Sequence, residues 1–222
     1  MKALVLSSGG VDSTTLLAEA CEEYGRENVT ALSLYYGQKH KKELEASAAV
    51  AEYYGVEHIV SDLSVIFAYS DCTLLEGRGD IPHESYAEQL EKTDGSPVST
   101  YVPFRNGLFL SAAASIALSK ECGVLMYGAH SDDAAGNAYP DCSTEFVEAM
   151  DRAINLGSGG ELTVRAPFAG VNKTEVVRRG KALGVPYQLT WSCYEGGDKP
   201  CGRCATCIDR IKAFRANGIT ID

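Results

Sequence analysis

The chain has 222 residues, of which 45% are hydrophobic and 23% are charged, so it can bury a sizeable core and is not expected to be disordered. Its net charge of −10 disfavours binding to nucleic acid through phosphate neutralisation and favours a small-molecule substrate. No apolar run approaches the roughly 18–20 residues of a membrane span, and the apolar start is too short for a signal peptide. We therefore expect a cytoplasmic protein without a membrane partner.

Up to residue 128 the chain alternates between short apolar runs and helix-like stretches. Four runs rich in Val, Ile, Leu and Tyr have the nearly continuous pattern that is typical of strands buried on both faces. They cover residues 3–7, 29–35, 57–61 and 124–128. Helical patterns cover residues 13–24, 40–54 and 106–122. Strands that alternate with helices predict an α/β fold with a doubly wound parallel sheet.

Two irregular stretches interrupt this alternation. Residues 64–103 contain several Gly and Pro residues without periodicity, and a connection of this length is more often a lid or a binding loop than filler. The second irregular stretch covers residues 129–142. Two later helices are predicted at residues 172–183 and 208–217.

The loop between the first predicted strand and the first predicted helix, residues 8–13, reads Ser-Gly-Gly-Val-Asp-Ser. A helix N-terminus offers unpaired N–H groups and a positive dipole end, which together form an anion site. Ser8, Ser13 and Thr14 add hydroxyl donors, and Asp12 is suited to hold Mg²⁺ beside a polyphosphate. The loop matches neither the Walker-type lysine loop nor the Gly-x-Gly-x-x-Gly dinucleotide motif. The alternative is an ordinary glycine-rich turn in which Ser or Asp caps the helix.

Four of the eight cysteines crowd into one C-terminal segment: Cys193, Cys201, Cys204 and Cys207. Disulfides are not expected in a reducing compartment, whereas Cys-x-x-Cys spacing presents two sulfurs to one ion. Four thiolates around Zn²⁺ leave no open position, so this zinc is expected to be structural. An iron–sulfur cluster and free thiols are the competing interpretations. The other four cysteines are predicted to be small buried side chains.

The Ser-Gly-Gly-Val-Asp-Ser loop resembles the pyrophosphate loop of the ATP-pyrophosphatase superfamily, whose members adenylate an oxygen of their substrate. The resemblance implies an adenine nucleotide α-hydrolase-like fold, with ATP and Mg²⁺ bound to a domain at residues 1–186 and zinc bound to a module at residues 187–222. AMP and pyrophosphate are the implied products. The implied ATP-site residues are consecutive: Leu6, Ser7, Ser8, Gly9, Gly10, Val11, Asp12, Ser13, Thr14, Thr15 and Leu16.

Four further segments narrow the resemblance, at residues 101–107, 128–132, 139–142 and 190–194. With the loop and the cysteine cluster they resemble the 7-cyano-7-deazaguanine synthases, a nitrile-forming family of the queuosine pathway. The resemblance implies that 7-carboxy-7-deazaguanine is adenylated, that free ammonia converts it to the amide, and that a second ATP activates the amide for conversion to the nitrile. It also implies a homodimer and no direct nucleic-acid partner.

Four residues are carried over as catalytic: Asp12, Ser13, Arg105 and Asp132. Arg105 is a candidate ligand for the substrate carboxylate or a phosphate, because its planar fork suits either. For the neighbouring Asn106, the alternative to a role in the site is that of a helix cap.

Three polar residues follow the last predicted strand of the alternating region: His130, Asp132 and Asp141. Ligands of open α/β sheets bind outside the carboxyl ends of the strands, so one of the three is a candidate to contact the base or ammonia. A purely structural role in the loop is the alternative for each. Lys173 opens a late predicted helix and is a candidate to contact a phosphate, with a solvated lysine as the alternative.

Alternatives from other classes make different demands on the chain. A tRNA-modifying adenylating enzyme of the thiolation type needs a basic surface and a persulfide-carrying cysteine, for which Cys142 is the candidate. A glutamine-dependent amidotransferase needs a glutaminase domain, for which 222 residues leave no room. A non-enzymatic zinc module predicts that no acid stimulates pyrophosphate release.

Overall fold

A computed structural model describes residues 1–93 and 96–220 of the chain. The predicted irregular stretch at residues 64–103 contains Asp94 and Gly95, and the predicted C-terminal module ends with Ile221 and Asp222. These four residues lie outside the described part of the chain.

The centre of the fold is a parallel sheet. Its strands are β1 (Lys2–Leu6), β2 (Val29–Tyr35), β3 (Glu57–Asp62), β4 (Cys122–Met126) and β5 (Thr163–Arg165). Their order across the sheet is β3-β2-β1-β4-β5, with every neighbouring pair parallel. The chain first extends the sheet on one side of β1 and then on the other. The loops after β1 and β4 therefore diverge and leave a crevice at the carboxyl ends of these strands.

Helices cover both faces of the sheet. They are α1 (Val11–Tyr24), α2 (Lys42–Tyr54), α3 (Ser64–Phe67), α4 (Tyr86–Lys92), α5 (Arg105–Ser119), α6 (Ser131–Ala134), α7 (Thr144–Gly157), α8 (Lys173–Ala182) and α9 (Ala205–Ala216). Among the described residues, no helix combines the length and the apolarity that a membrane crossing requires.

Two apolar layers hold these helices to the sheet. Successive residues of a strand point to opposite faces, so Val5 packs in one layer and Leu4 in the other. The layer around Val5 contains residues of α1, α2, α8 and α9, including Leu16 and Phe214. The layer around Leu4 is formed with α5, whose Leu110 is fully buried. The predicted doubly wound α/β fold is confirmed.

The four predicted strands and the main predicted helices are present, with ends that shift by a few residues. The sequence interpretation missed β5 and α7, and it treated residues 64–103 as irregular although they contain α3 and α4. β5 has only three residues, and Val164 alone of these is buried, which leaves too short a pattern to recognise. Phe214 of α9 packs in the same core layer as α1, and the domain boundary at residue 186 stays a prediction.

Candidate active site

A cavity of about 220 Å³ opens at the carboxyl ends of β1, β2 and β4. Leu6 at the end of β1, Tyr36 after β2 and Tyr127 after β4 all contribute to its wall. This is the position at which ligands bind in open α/β sheets. The side chains around it come from the loop before α1, from the starts of α2, α5 and α8, and from the C-terminal segment.

Part of the predicted ATP-site segment reaches this cavity. The residues of the segment that line it are Leu6, Ser7, Ser8, Gly10, Asp12 and Ser13. The remaining residues of the segment lie behind this surface or in the body of α1: Gly9, Val11, Thr14, Thr15 and Leu16. Thr15, for example, shares a hydrogen bond of 2.9 Å between its Oγ1 and the hydroxyl of Tyr187.

The serines of the loop fix its shape. The Ser8 N–H donates to Ser13 Oγ at 3.2 Å, and the Gly10 N–H donates to Ser8 Oγ at 3.3 Å. The two serine hydroxyls lie 3.1 Å apart. Gly10 is the N-cap of α1 and provides no side-chain cap. The first N–H groups of α1 have no partners within the helix, which suits the binding of an anion at this end of the cavity.

Gly9 allows the loop to pack directly on α2. Its φ of +74° is in the left-handed region, and a Cβ at this position would lie 2.5 Å from both the Glu43 carbonyl oxygen and the Ser47 nitrogen. We expect Gly9→Ala to lower the free energy of unfolding by roughly 2–4 kcal/mol, because backbone strain and steric overlap add together. Chemical denaturation measures this change.

The matched control for Gly9 is Gly55, at the C-cap of α2, where φ is +67° and a Cβ would meet nothing within 4 Å. Gly55→Ala should cost about 1 kcal/mol from the conformation alone. Equal losses in the two variants would contradict the close approach of the loop to α2.

Asp12, Lys173 and His130 form a partly buried polar group at the start of α1. Lys173 Nζ donates to Asp12 Oδ2 at 2.7 Å and lies 3.4 Å from His130 Nε2. Burial alone would raise the pKa of Asp12, but the charges of Lys173 and His130 outweigh it and hold that pKa below its ordinary value. Burial would lower the pKa of Lys173, yet Asp12 and Asp133 hold it above its ordinary value. Both Asp12 and Lys173 are therefore charged at neutral pH.

Two polar atoms of this group are buried without a hydrogen-bond partner in residues 1–93 and 96–220, namely Asp12 Oδ1 and His130 Nδ1. Asp12 also lines the cavity. An ionised carboxylate oxygen in this situation is a suitable ligand for a hard cation.

The predicted catalytic residue Asp132 lies beside the cavity. Its Oδ2 accepts a hydrogen bond of 2.9 Å from the Lys173 N–H at the start of α8, and the residue does not contribute to the cavity wall. Its neighbour Asp133 does line the cavity, with its Oδ2 3.3 Å from His130 Nε2. A catalytic role for Asp132 stays a prediction, and the contact that the structure assigns to it is with the backbone of Lys173.

Arg105 lies at the other end of the cavity, at the start of α5. Its Nη1 donates to the Tyr36 hydroxyl at 3.3 Å, and its guanidinium carbon lies 5.2 Å from the centre of the Tyr36 ring and 5.9 Å from that of Phe109. Burial would lower the pKa of Arg105, but Tyr36 and Asp141 hold it above its usual range. The guanidinium is thus a fixed positive charge, oriented by aromatic rings.

Asp141 and Cys142 support the start of α5. The Asn106 N–H donates to Asp141 Oδ2 at 2.8 Å, and Asn106 Nδ2 donates to the Asp141 carbonyl oxygen at 3.1 Å and to Cys142 Sγ at 3.2 Å. The Asp141 carboxylate therefore caps α5 from outside the helix. Burial, reinforced by Asp133 and Asp141, raises the pKa of the Cys142 thiol well above its ordinary value.

A chain of hydroxyl groups near Arg105 was missed by the sequence interpretation. The Tyr86 and Tyr194 hydroxyls lie 2.9 Å apart, Tyr139 donates to Tyr86 at 3.4 Å, and the Thr100 and Tyr139 hydroxyls lie 2.6 Å apart. Tyr86 and Tyr194 line the cavity. Tyr86 belongs to residues 64–103, so this stretch contributes to the cavity wall.

The four clustered cysteines converge on one point next to the cavity. The Sγ atoms of Cys193, Cys201, Cys204 and Cys207 all lie within 4.8 Å of one another. The Cys201 N–H donates to Cys193 Sγ and the Cys204 N–H donates to Cys201 Sγ, both at 3.3 Å, which is a pattern that stabilises thiolates. The group could hold a metal ion.

Residues 191–209, the cysteine segment, are in direct contact with the loop before α1. The Trp191 N–H donates to the Gly9 carbonyl oxygen at 2.9 Å, and Trp191 Nε1 donates to the Cys193 carbonyl oxygen at 2.8 Å. Trp191, together with Thr206 and Asp209 of α9, lines the cavity. The cysteine segment is therefore part of the cavity wall.

Comparison with known proteins gives a consistent result over nearly the whole chain. Residues 2–218 match the family model described as "Queuosine biosynthesis protein QueC". A 7-cyano-7-deazaguanine synthase from Archaeoglobus fulgidus is 44% identical over 220 residues, which cover 99% of this chain and 88% of that protein. The synthase from Caldicellulosiruptor saccharolyticus is 44% identical over 219 residues, which cover 99% of this chain and 93% of that protein.

A solved structure has a similar fold. The U34-tRNA thiolase NcsA from Methanococcus maripaludis, solved with its [4Fe-4S] cluster, superimposes with a TM-score of 0.50 at 16% sequence identity. The match covers 98% of this chain and 66% of that chain. At this low identity the likeness concerns the fold alone.

Proposed function

Because the chain belongs to the family of the queuosine biosynthesis protein QueC, we propose that it is an ATP-dependent carbon–nitrogen ligase. Its substrates would be 7-carboxy-7-deazaguanine and ammonia, and its products 7-cyano-7-deazaguanine, AMP and pyrophosphate. One structural observation supports the proposal independently of the similarity to known proteins. A single cavity joins the loop before α1, which suits phosphates, to Arg105, which suits a carboxylate.

In the first stage, a carboxylate oxygen of the substrate attacks the α-phosphate of ATP, and pyrophosphate leaves. The N-terminus of α1 and the Lys173 ammonium supply positive charge where negative charge accumulates on the phosphates. Arg105 is suited to hold the substrate carboxylate in reach of the α-phosphate. The contribution of the protein to this stage is mainly positioning and charge neutralisation.

Asp12 is the residue that would hold Mg²⁺. Its Oδ1 is a buried carboxylate oxygen without a hydrogen-bond partner in the described part of the chain, and Mg²⁺ takes oxygen ligands of this kind. When bound, the ion would neutralise part of the charge on the ATP phosphates. Lys173 occupies the other oxygen of Asp12 and keeps the carboxylate ionised and oriented.

In the second stage, ammonia displaces AMP from the acyl-adenylate and forms the amide. A second ATP adenylates the amide oxygen, and loss of AMP leaves the nitrile. This activation is needed because an amide in water does not lose its oxygen without conversion to a good leaving group. Tyr86 and Tyr194 line the cavity, and Tyr194, whose hydroxyl lies 2.9 Å from that of Tyr86, is close to Arg105. Their hydroxyls are suited to donate hydrogen bonds to the substrate oxygen.

The geometry of the four thiol groups favours zinc over an iron–sulfur cluster. A tetrahedral Zn²⁺ with Zn–S bonds of 2.3 Å requires sulfurs about 3.8 Å apart, which is consistent with four Sγ atoms that all lie within 4.8 Å of one another. A cluster places irons and sulfides between its thiolates and needs them farther apart. We therefore propose one structural zinc ion per chain, held by Cys193, Cys201, Cys204 and Cys207.

The residues of the cavity give less support to the alternative function, a tRNA-modifying adenylating enzyme of the thiolation type. Cys142, the candidate persulfide carrier, accepts a hydrogen bond from Asn106, and the raised pKa of its thiol keeps it protonated. A nucleophilic sulfur carrier needs thiolate character. The arrangement around Cys142 supports a packing role instead.

A product assay tests the proposed function. Purified protein is incubated with ATP, Mg²⁺, ammonium and 7-carboxy-7-deazaguanine, and mass spectrometry scores the nucleotide and base products together. We expect the nitrile, AMP and pyrophosphate, and we expect Asp12→Asn to abolish all three because the variant loses the ionised oxygen that would hold Mg²⁺.

Other outcomes of the same assay separate the stages. The amide as sole base product would support the first activation and contradict the second. No acid-dependent release of pyrophosphate would overturn the proposed function and bring the tRNA-modifying alternative to the front.

A further inference from the structure

Glu43 is a carboxylate in the cavity wall to which neither the sequence interpretation nor the mechanism above assigns a role. It lies in the first turn of α2, is half-buried, and lines the cavity. Within residues 1–93 and 96–220, no hydrogen bond or ion pair to its carboxylate is found. Burial raises the pKa of Glu43 to about 7, with Arg105 acting in the opposite direction.

A backbone contact and an electrostatic interaction locate Glu43 within the cavity. Its carbonyl oxygen would lie 2.5 Å from a Cβ at Gly9, so the residue starts next to the phosphate-binding loop. Its carboxylate lies in the electrostatic field of Arg105 and adds to the shift of the Tyr36 pKa above its ordinary value. Glu43 therefore lies between the groups suited to ATP phosphates and the group suited to the substrate carboxylate. Under the proposed function, this is the region for the carbon that exchanges oxygen for nitrogen.

The other carboxylates of the wall lie nearer to Lys173 and His130 than to Arg105. Asp12 bonds to Lys173, and Asp133 lies 3.3 Å from His130 Nε2. Asp209 is on α9, where Lys173 is the first charged group that acts on it. Glu43 is the one described carboxylate of the wall whose charged neighbour is Arg105.

We propose that Glu43 is the base that takes the proton from the substrate nitrogen when the adenylated amide collapses to the nitrile. The inference rests on the proposed function. Adenylation of the amide oxygen gives the neutral imidate R–C(=NH)–O–AMP, and the first amide proton is released to water at that stage. In the elimination, the electron pair of the remaining N–H bond becomes the new C–N π bond, the C–O bond to the adenylate breaks, and AMP leaves with that oxygen. The proton passes to the Glu43 carboxylate. Atoms and charge balance without any further reactant.

The step requires a base, whereas activation of the acid does not. A carboxylate attacks the α-phosphate without losing a proton, but the nitrile cannot form until the nitrogen has lost its last hydrogen. A general base contributes about 10²–10⁴-fold to such a step, most effectively when its pKa is near the working pH. The half-buried, unpaired carboxylate of Glu43 meets this requirement.

The test separates activation from elimination in Glu43→Gln. Exchange of pyrophosphate into ATP, measured with the acid and without ammonium, should stay within about threefold of wild type because it needs no base. Nitrile formation from the amide of 7-carboxy-7-deazaguanine and ATP, measured in single turnovers, should fall by about 10²–10⁴-fold. Glu43→Asp should recover part of this loss. Glu45→Gln, an exposed position in the same turn of α2, is the matched control and should behave as wild type.

The pH dependence of the wild-type protein gives an independent test. The carboxylate must be ionised to act, so nitrile formation from the amide should increase with pH through about 7 and then level off. Ammonium takes no part in this reaction and so does not affect the profile. In Glu43→Gln, the residual rate of nitrile formation should no longer increase with pH through this range.

Three results would overturn the proposal: nitrile formation by Glu43→Gln within about tenfold of wild type, loss of pyrophosphate exchange in that variant, or a wild-type profile without a limb near neutral pH. The absence of acid-dependent exchange in wild type would instead contradict the proposed function.

Discussion

Replacing Cys204 with serine is expected to destabilise the whole cavity wall and to abolish ATP-dependent turnover. Three thiolates bind Zn²⁺ more weakly than four, and the binding free energy of a structural zinc is free energy of folding. We expect the melting temperature to fall by roughly 10–20 °C, as a loss of about 5 kcal/mol would cause in a chain of this size. Differential scanning calorimetry measures the shift, and elemental analysis measures the proposed zinc.

Cys204→Ser removes one thiolate and should leave the rest of α9 undisturbed. Cys204 is the N-cap of α9, with φ of −71° and ψ of 157°, and serine is a favoured residue at that position. The helix itself should therefore tolerate the change. Cys122→Ser is the matched control, since Cys122 is also buried but belongs to β4, outside the cluster.

The fluorescence of Trp191 can report on the proposed zinc. Trp191 is the one tryptophan of the sequence, its indole N–H donates to the Cys193 carbonyl oxygen, and its backbone N–H donates to the Gly9 carbonyl oxygen. Removal of the proposed zinc by a chelator should change the fluorescence of Trp191 in parallel with a loss of the proposed ATP binding. Unchanged fluorescence and activity in a zinc-free protein would contradict a role for the cysteine segment in the cavity wall. Iron in place of zinc would contradict the metal assignment.

The features that the sequence predicted well are those in which the informative residues are contiguous. The Ser-Gly-Gly-Val-Asp-Ser loop places glycines, hydroxyls and a carboxylate at one strand–helix junction, and the cysteine cluster lies within fifteen residues. Each of these patterns has few other physical explanations. With the four further segments they predicted the family, which the match over residues 2–218 confirms. The central strands of the sheet were predicted from contiguous apolar runs.

Side-chain direction was harder to predict. Glu43 and Glu45 are two residues apart on α2, so they point to widely different directions around the helix, and only Glu43 faces the cavity. No periodicity in the charged start of this helix distinguishes them. Asp132 and Asp133 present the same difficulty on α6, where the packing of α8 against the loop decides which carboxylate bonds to the Lys173 backbone and which lines the cavity.

Lys173→Met is expected to lower the free energy of unfolding by about 3–5 kcal/mol and to abolish pyrophosphate release. The substitution leaves the Asp12 carboxylate buried without its main cation, and breaking a buried ion pair from one side has a cost of this size. The ATP phosphates also lose a neutralising charge. Denaturation and the product assay measure the two effects on the same protein.

The pH range over which the Asp12–Lys173 ion pair stabilises the wild-type protein follows from the pKa shifts of the two residues. The pKa of Asp12 is below its ordinary value of 3.8, so its contribution to stability is present above that value and is lost as the pH falls through the lowered pKa. The pKa of Lys173 is above its ordinary value of 10.5, so its contribution is present below that value and is lost as the pH rises through the raised pKa. Burial raises the pKa of Asp12 once its main cation is removed, so the stability difference between wild type and Lys173→Met should be largest at and above neutral pH, up to 10.5. It should shrink at acid pH, where the Asp12 carboxylate of the variant takes up a proton before that of wild type does.

The double variant Asp12→Asn/Lys173→Met separates structure from chemistry. Removing both charges leaves no uncompensated buried ion, so stability should return to within about 1–2 kcal/mol of wild type. Pyrophosphate release should remain abolished, because neither the metal-binding oxygen nor the ammonium is restored. A double variant that regains both stability and turnover would show that the pair is structural and would leave the phosphate-binding role to the N–H groups and hydroxyls of the loop. A double variant that stays as unstable as Lys173→Met would instead show that the loop depends on the Asp12 carboxylate itself.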